Sequence, residues 1–306
     1  MNGVVLCVGE PLIALTPPAG TDLQAADQLL VAVGGAEANV AVGLAQLGLR
    51  ARFAGRVGAD PFGLRILTAL HTARVDTRWV DTDPQRPTGL YLKNPTGSAR
   101  YYRSGSAGAA LGALPAEALV DVDHLHLTGI TPALSTECRD LVESLFGLKQ
   151  FTVSFDINFR PALWHAEAAA PILLDLARRA DIVFTGLDEA AALWQVTDAQ
   201  DVRALLPAVT ELVVKDGPAH ATVFHDSDRV DVLPPAVDII EPTGAGDAFA
   251  AGYLAARRRG EDLAAALRSG HLLAGIVLGR HGDHADPPTA RELHIARTGH
   301  GWPEAL

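Results

Sequence analysis

Residues 241–249 read Glu241-Pro242-Thr243-Gly244-Ala245-Gly246-Asp247-Ala248-Phe249 and lead straight into a helical pattern, Ala245–Arg258. Small residues at a helix start leave several backbone N–H groups unpaired and sterically open, and the helix dipole favours an anion there. A carboxylate at Asp247, in the first turn, stands beside that anion hole. A phosphate cradle next to a base able to take a proton from an attacking hydroxyl is what phosphoryl transfer requires. A capped helix, with Thr243 as N-cap and an acid in the first turn, is the simpler account of the same residues. It leaves unexplained the two glycines, which weaken helices, on the N-terminal side of that carboxylate.

Working outward, short apolar runs rich in β-branched residues alternate with amphipathic helical stretches. The strand-like runs are Val4–Val8, Ala51–Val57, His124–Leu127, Phe151–Phe155, Ile182–Phe184 and Leu212–Lys215. Between them the spacing predicts helices over Glu37–Leu47, Pro61–Thr72, Thr136–Phe146, Ala166–Arg178 and Leu187–Gln195, with Asp262–Leu278 after the opening helix. Strands apolar on both faces and alternating with helices predict an α/β fold, an open, doubly wound, mostly parallel sheet flanked by helices. No repeat or linker divides the chain, so residues 1–306 read as a single domain. Two stretches, about 11–33 and 86–104, carry strand-like bits (Leu12–Leu15, Gly89–Leu92, Ala99–Tyr102) without helices between them. They form either a small sheet acting as a lid over the strands' carboxyl ends or an ordinary edge hairpin.

Composition narrows the function. Of 306 residues 48% are apolar and 20% charged, enough for a real core and unlike a disordered or coiled-coil chain. The formal net charge of −11 argues against a nucleic-acid protein, which needs basic stripes. Arg257-Arg258-Arg259 is the compact basic run, and before Gly260 it reads as a helix's last turn, complementing exposed carbonyls. Two cysteines are too few for a disulfide framework, and Glu10 cuts the N-terminal apolar run short, so no membrane segment and a cytoplasmic location are expected. His124 with His126, and His281 with His284, lack the further ligands zinc would need. Cys7 reads as a small buried hydrophobe in an apolar strand.

The 241–249 segment resembles the second signature of the ribokinase-like (PfkB) family of carbohydrate kinases. The first is matched by Val33-Gly34-Gly35-Ala36-Glu37-Ala38-Asn39-Val40-Ala41 and by Gly55-Arg56-Val57-Gly58-Ala59-Asp60-Pro61-Phe62-Gly63. Gly34 and Gly35 would let a sugar approach the backbone, and Asn39 offers both donor and acceptor. Thr88-Gly89-Leu90-Tyr91-Leu92, Arg100-Tyr101-Tyr102-Arg103, Leu125–Pro132 and Phe155-Asp156-Ile157-Asn158-Phe159-Arg160 are similar to the 2-dehydro-3-deoxygluconate kinase branch. The resemblance spans the chain, lid segments included. It implies a ribokinase-like fold with ATP and Mg²⁺, phosphorylation of a sugar acid at its C6 hydroxyl, Asp247 as base, and Gly244, Ala245 and Gly246 in the anion hole. Gly34, Gly35, Asn39, Tyr91, Tyr101, Arg103 and Asp283 would meet the sugar acid. Arg160 would sit near its carboxylate or the phosphates, and Asn158 would belong to the ATP side.

The nucleotide side departs more from the family pattern. Val213–Ala221 resembles the strand-turn-strand near ATP, with Lys215, Gly217 and Ala219 as contacts, but His220 stands where a second glycine is usual. In Thr185-Gly186-Leu187-Asp188-Glu189, Glu189 matches an Asn-x-x-Glu motif and implies a water-mediated Mg²⁺ role, while Gly186 replaces the asparagine. His271 occupies an asparagine position near the adenine. Glu241 replaces an aspartate linked in some members to a monovalent cation, which leaves cation activation open. A homo-oligomer, dimer or higher, is expected through the open edge of the lid. Two alternatives stay on the same scaffold: a fructokinase- or ribokinase-type enzyme for a neutral sugar, and a non-catalytic sugar or nucleotide sensor. A nicotinamide oxidoreductase is disfavoured, because Val8-Gly9-Glu10-Pro11 lacks the G-x-G-x-x-G turn.

Overall fold

The computed structural model describes residues 3–18, 20–93, 99–280 and 287–303. Its strands are β1 (Val4–Val8), β2 (Leu12–Thr16), β3 (Leu30–Gly34), β4 (Ala51–Gly58), β5 (Asp76–Asp83), β6 (Leu90–Leu92) and β7 (Arg100–Tyr102). They continue with β8 (Val122–Thr128), β9 (Thr152–Asp156), β10 (Ile182–Gly186), β11 (Glu211–Asp216), β12 (His220–His225) and β13 (Asp228–Val232). The helices are α1 (Ala36–Gln46), α2 (Pro61–Thr72), α3 (Thr131–Leu134), α4 (Thr136–Gly147) and α5 (Ala166–Arg179). After them come α6 (Leu187–Trp194), α7 (Ala199–Leu205), α8 (Ala245–Arg258), α9 (Leu263–Leu278) and α10 (Ala290–Thr298).

β1 is buried along its whole length, and its alternate side chains divide between two cores. Val5 and Cys7 join α1, α2, α8 and α9; Leu6 and Val8 join α4, α5, α6 and α7. That period-two split is what helices on both faces of a sheet demand. The nine-stranded sheet has the order β13-β12-β11-β10-β9-β8-β1-β4-β5. Its strands are parallel from β5 to β11, and β12 and β13 add antiparallel at one edge. The chain leaves β1 for β4 on one side and reaches β8 on the other, so the winding reverses beside the carboxyl end of β1. Ligands in open α/β sheets bind in that crevice.

The two hairpin stretches build a separate four-stranded sheet, β3-β2-β6-β7, antiparallel apart from the β2–β6 pair. Its strand β3 and the main-sheet strand β5 escaped the sequence pattern. In β5 the run Asp76-Thr77-Arg78-Trp79-Val80-Asp81-Thr82-Asp83 is largely polar because it is an edge strand, mostly exposed or half-buried. The outer strand β13, carrying Asp228, Arg229 and Asp231, escaped as well, whereas β11 turning into β12 matches the strand-turn-strand expected over Val213–Ala221.

Helix α8 is gripped along its length. A Cβ at Gly252 would come 2.3 Å from the Ser269 carbonyl oxygen, so the close crossing of α8 with α9 needs glycine there. The arginines at its far end do more than complement open carbonyls. Arg257 pairs with Glu211 (2.6 Å), Arg258 with Asp123 (2.8 Å), and Arg259 donates to the Leu47 carbonyl. The helix is thereby tied to the amino ends of β8 and β11 and to the end of α1.

Candidate active site

Gly244 takes a positive φ of 84° and caps α8, which places Asp247 in the first turn, only 8% exposed. Two asparagine amides from distant elements grip its carboxylate. Asn39 Nδ2, on α1, donates to Oδ2 at 2.8 Å, and Asn158 Nδ2, after β9, donates to Oδ1 at 3.3 Å. Asn158 holds a positive φ of 41°, a strained position that asparagine tolerates better than most residues. The Oδ1 atoms of both asparagines are buried without a hydrogen-bond partner among the described residues. Buried amide oxygens of that kind are poised to accept from a ligand hydroxyl.

At the winding reversal, Glu10 follows β1 and Glu37 sits on α1, both buried. Glu37 accepts from the hydroxyls of Thr128 and Thr131, each at 2.7 Å. Burial nevertheless raises its carboxyl above the usual range. Glu10 accepts from Ser106 and from Arg103, whose Nε lies 2.6 Å away. Glu10, Glu37 and Arg103, with Gly35, Asn39, Tyr91, Tyr101, Arg160, Gly244 and Asp247, line a cavity of about 50 Å³. Tyr91 and Tyr101 stack at 5.3 Å, and the Arg103 guanidinium lies 5.5 Å from the Tyr101 ring centre. Gly35 needs to be glycine for a backbone reason: at φ 115°, a Cβ would stand 2.6 Å from the Glu10 carbonyl oxygen. Gly34 ends β3, paired with Leu12, and is not among the residues that line the cavity.

On the other flank of the α8 start opens a larger cleft of about 580 Å³. Its lining includes Lys215, Gly217, Pro218, His220, Val237, Ile239, Gly246, Phe249, His271 and Leu278. Ala219 instead closes the β11–β12 turn, its N–H donating to Asp216 O at 2.9 Å. His271 bonds the Val232 carbonyl through Nε2 (3.0 Å) and meets Phe249 edge-on. Burial holds its pKa down to about 4, so the ring is neutral at pH 7. Lys215 Nζ donates to Asp156 Oδ2 at 3.2 Å. Burial opposes its charge, but Asp156, Glu189 and Asp247 outweigh that and raise its pKa. Glu189 accepts from the Gly186 N–H at 2.9 Å and faces Arg160 Nη1 at 3.4 Å. Its carboxyl is pushed up by burial and then by the neighbouring Asp156 charge.

The small cavity and the large cleft thus share the N-terminus of α8, Gly244 and Asp247 facing one and Ala245 and Gly246 the other. Asn158, expected on the ATP side from the sequence, donates to Asp247. Asp283 lies outside the described residues, as do His281 and His284. Sequence reasoning missed Glu10, Glu37, Asp156 and Lys93. Lys93, just after β6, forms a buried ion pair with Glu241. Glu10 had a signal: it follows the first strand at the point where an open sheet binds ligands. Among the described residues no three acidic, histidine or cysteine side chains cluster as a metal site, and no helix is long and apolar enough to cross a membrane.

The pfkB family carbohydrate kinase model matches residues 3–290. The chain belongs to the PfkB family of carbohydrate kinases. A 2-dehydro-3-deoxygluconokinase of Thermoproteus tenax is 36% identical over 305 residues, covering 94% of this chain and 92% of the relative. Among solved structures, the 2-dehydro-3-deoxygluconokinase of Thermotoga maritima superposes with a TM-score of 0.90 at 22% identity, covering 98% of this kinase and 99% of that chain. A fructokinase double mutant from Vibrio cholerae, solved with fructose, ADP and a potassium ion, gives 0.86 at 24% identity, covering 97% and 98%. The ribokinase-like arrangement expected from the sequence, a doubly wound main sheet with a smaller sheet beside it, is what the kinase has.

Proposed function

We propose that this kinase transfers the γ-phosphoryl group of ATP to the C6 hydroxyl of 2-dehydro-3-deoxy-D-gluconate. The observation that carries the reading is the position of Asp247. Its carboxylate, oriented by Asn39 and Asn158, lies at the N-terminus of α8 where the two-arginine cavity meets the apolar cleft. The cavity takes the sugar acid and the cleft takes the nucleotide, its base against Val237, Ile239, Phe249 and neutral His271. The relatives named as 2-dehydro-3-deoxygluconokinases support the substrate class.

In this mechanism Asp247 accepts the hydroxyl proton as that oxygen attacks phosphorus in line. The backbone N–H groups from Gly244 to Asp247 face the charge that develops on the transferring oxygens, aided by the dipole of α8. Lys215, its positive charge stabilised by nearby carboxylates, stands at the phosphate side of the cleft. Arg160 is the freer guanidinium, its side chain 41% exposed and 3.4 Å from Glu189, and it meets the sugar carboxylate. Arg103, held by Glu10, sets the cavity wall and offers its remaining N–H groups. The second sheet acts as a lid that excludes water. The adjacent carboxylates of Glu189 and Asp156 suit a divalent ion held mainly by phosphates and water. Bound there, Mg²⁺ would neutralise phosphate charge.

The Glu10–Arg103 pair favours a second reading, a neutral-sugar kinase, because it cancels one of the two positive charges in the cavity. An ADP-release assay on 2-dehydro-3-deoxygluconate, fructose and ribose separates the two. Turnover on fructose with none on the sugar acid would overturn the first. We also infer self-association through the lid, where Leu30 on β3 and Tyr102 on β7 are 56% and 55% exposed on the two edge strands. Sedimentation showing only monomer at micromolar concentration would end that inference.

A further inference from the structure

Neither Lys93 nor Glu241 enters the transfer step, yet the two meet in a buried ion pair spanning 148 residues, their side chains only 7% and 11% exposed. Glu241 stands three residues before Gly244, the residue that caps α8, so the ion pair lies one short turn of chain from the phosphate cradle. Its own backbone N–H is tied to Leu278 O at the end of α9 (3.2 Å), which fixes where that carboxylate can go. Lys93 belongs to the other body of the fold. It follows β6, and its backbone N–H donates to Leu15 O on β2 at 2.8 Å. A buried carboxylate beside amides that must hold phosphate opposes that task unless a cation neutralises it. The sequence reading left open a monovalent cation at Glu241. The residues present do not fit one there, because an ammonium already meets that carboxylate.

We propose that the Lys93 ammonium is a built-in monovalent cation, supplied by the second sheet, that neutralises Glu241 and makes the cradle competent without a free ion. The proposal rests on the phosphoryl-transfer reading of that cradle. Because the charge travels with the second sheet, closure of that sheet and readiness of the cradle become one event.

The test compares wild type with Lys93→Met in equimolar sodium, potassium, ammonium and tetramethylammonium chloride. Two quantities are read: the rate of sugar phosphorylation, and the melting temperature without substrates. Wild type is expected to be indifferent to the cation in both. In tetramethylammonium, Lys93→Met should lose turnover by roughly tenfold or more. Potassium or ammonium, small enough to reach Glu241, should restore much of that rate and raise the variant's melting point by roughly 2–4 °C. A potassium-dependent wild type overturns the proposal. So does a folded Lys93→Met that keeps full activity in tetramethylammonium, or that is rescued by no cation in either quantity. If Lys93→Met fails to fold, Lys93→Gln, which is uncharged and keeps a hydrogen-bond donor one methylene nearer the backbone, takes its place under the same criteria. A wild type inactive on every sugar tested counts against the proposed substrate alone, because the melting comparison reads the cation without any sugar.

Discussion

Replacing Arg103 by methionine removes a guanidinium whose side chain is 8% exposed and strips the Glu10 carboxylate, 1% exposed, of its cation. Breaking one side of a buried pair costs about 3–5 kcal/mol, because the surviving charge stays desolvated. The Ser106 hydroxyl still donates to Glu10, and a hydrogen bond to a charged group contributes about 1.5–3 kcal/mol. A loss near the lower bound, about 3 kcal/mol, is therefore expected for Arg103→Met in urea unfolding. Glu10→Gln combined with Arg103→Met leaves no charge to strand and should recover about 2 kcal/mol of that loss. The same double variant reads function, since it removes Arg103 without the stability penalty. Its KM for the sugar acid should rise while its KM for ATP holds. An Arg103→Met protein within 1 kcal/mol of wild type, or a double variant no more stable than the single one, would refute the claim that Glu10 and Arg103 depend on each other.

Asp247→Asn keeps the shape that Asn39 and Asn158 grip but removes the proton acceptor, so kcat should fall by about 10²–10⁴ with ATP binding retained; near-normal turnover would dismiss Asp247 as the base and strengthen the case for a sensor. Gly252→Ala drives a methyl to 2.3 Å from the Ser269 carbonyl oxygen. Prying α8 from α9 should cost about 1–3 kcal/mol, seen as a melting point several degrees lower, and an unchanged melting curve would contradict the close crossing. His124 and His126 have pKa values held by burial to about 3 and about 4, against 6.5 when exposed. Below pH 6.5 the unfolded chain binds protons that the folded chain refuses, so stability should fall as pH drops from 6.5 toward 4, by up to about 1.4 kcal/mol per pH unit for each ring. Denaturant midpoints at pH 7 and pH 5 measure this, and His124→Gln should flatten the slope; an equal slope in that variant would exclude His124 as a source.

The regular elements were legible where one residue pattern served one purpose. Val4–Val8 and Pro61–Thr72 fall as strand and helix at the bounds their apolar spacing indicates. β5 was illegible because an edge strand answers to water on much of its surface, and its aspartates hide the alternation. The Gly-rich start of α8 could be read because its chemistry is local: open amides and a carboxylate within one turn. Asn39 and Asn158 stood out in motifs, yet their shared task, orienting a carboxylate 208 and 89 residues away, is written only in three dimensions. The same holds for Glu10 with Arg103 and for Lys93 with Glu241, pairings across 93 and 148 residues that no local motif announces. His126, buried against Ser154 at 2.9 Å, shows the converse. Its spacing argued against zinc, but its burial was not readable.

The three arginines at the end of α8 have a consequence for how this enzyme tolerates change. A helix of 14 residues is about 21 Å long. Pinned at its tail to Glu211, Asp123 and the Leu47 carbonyl, it behaves as a strut whose loaded tip is Asp247. A strut swings furthest at the end away from its anchor. Substitutions at Glu211 or Asp123, on the opposite rim of the sheet from the chemistry, therefore belong among those that detune turnover without touching either substrate, and random mutagenesis for altered rate should return to that rim.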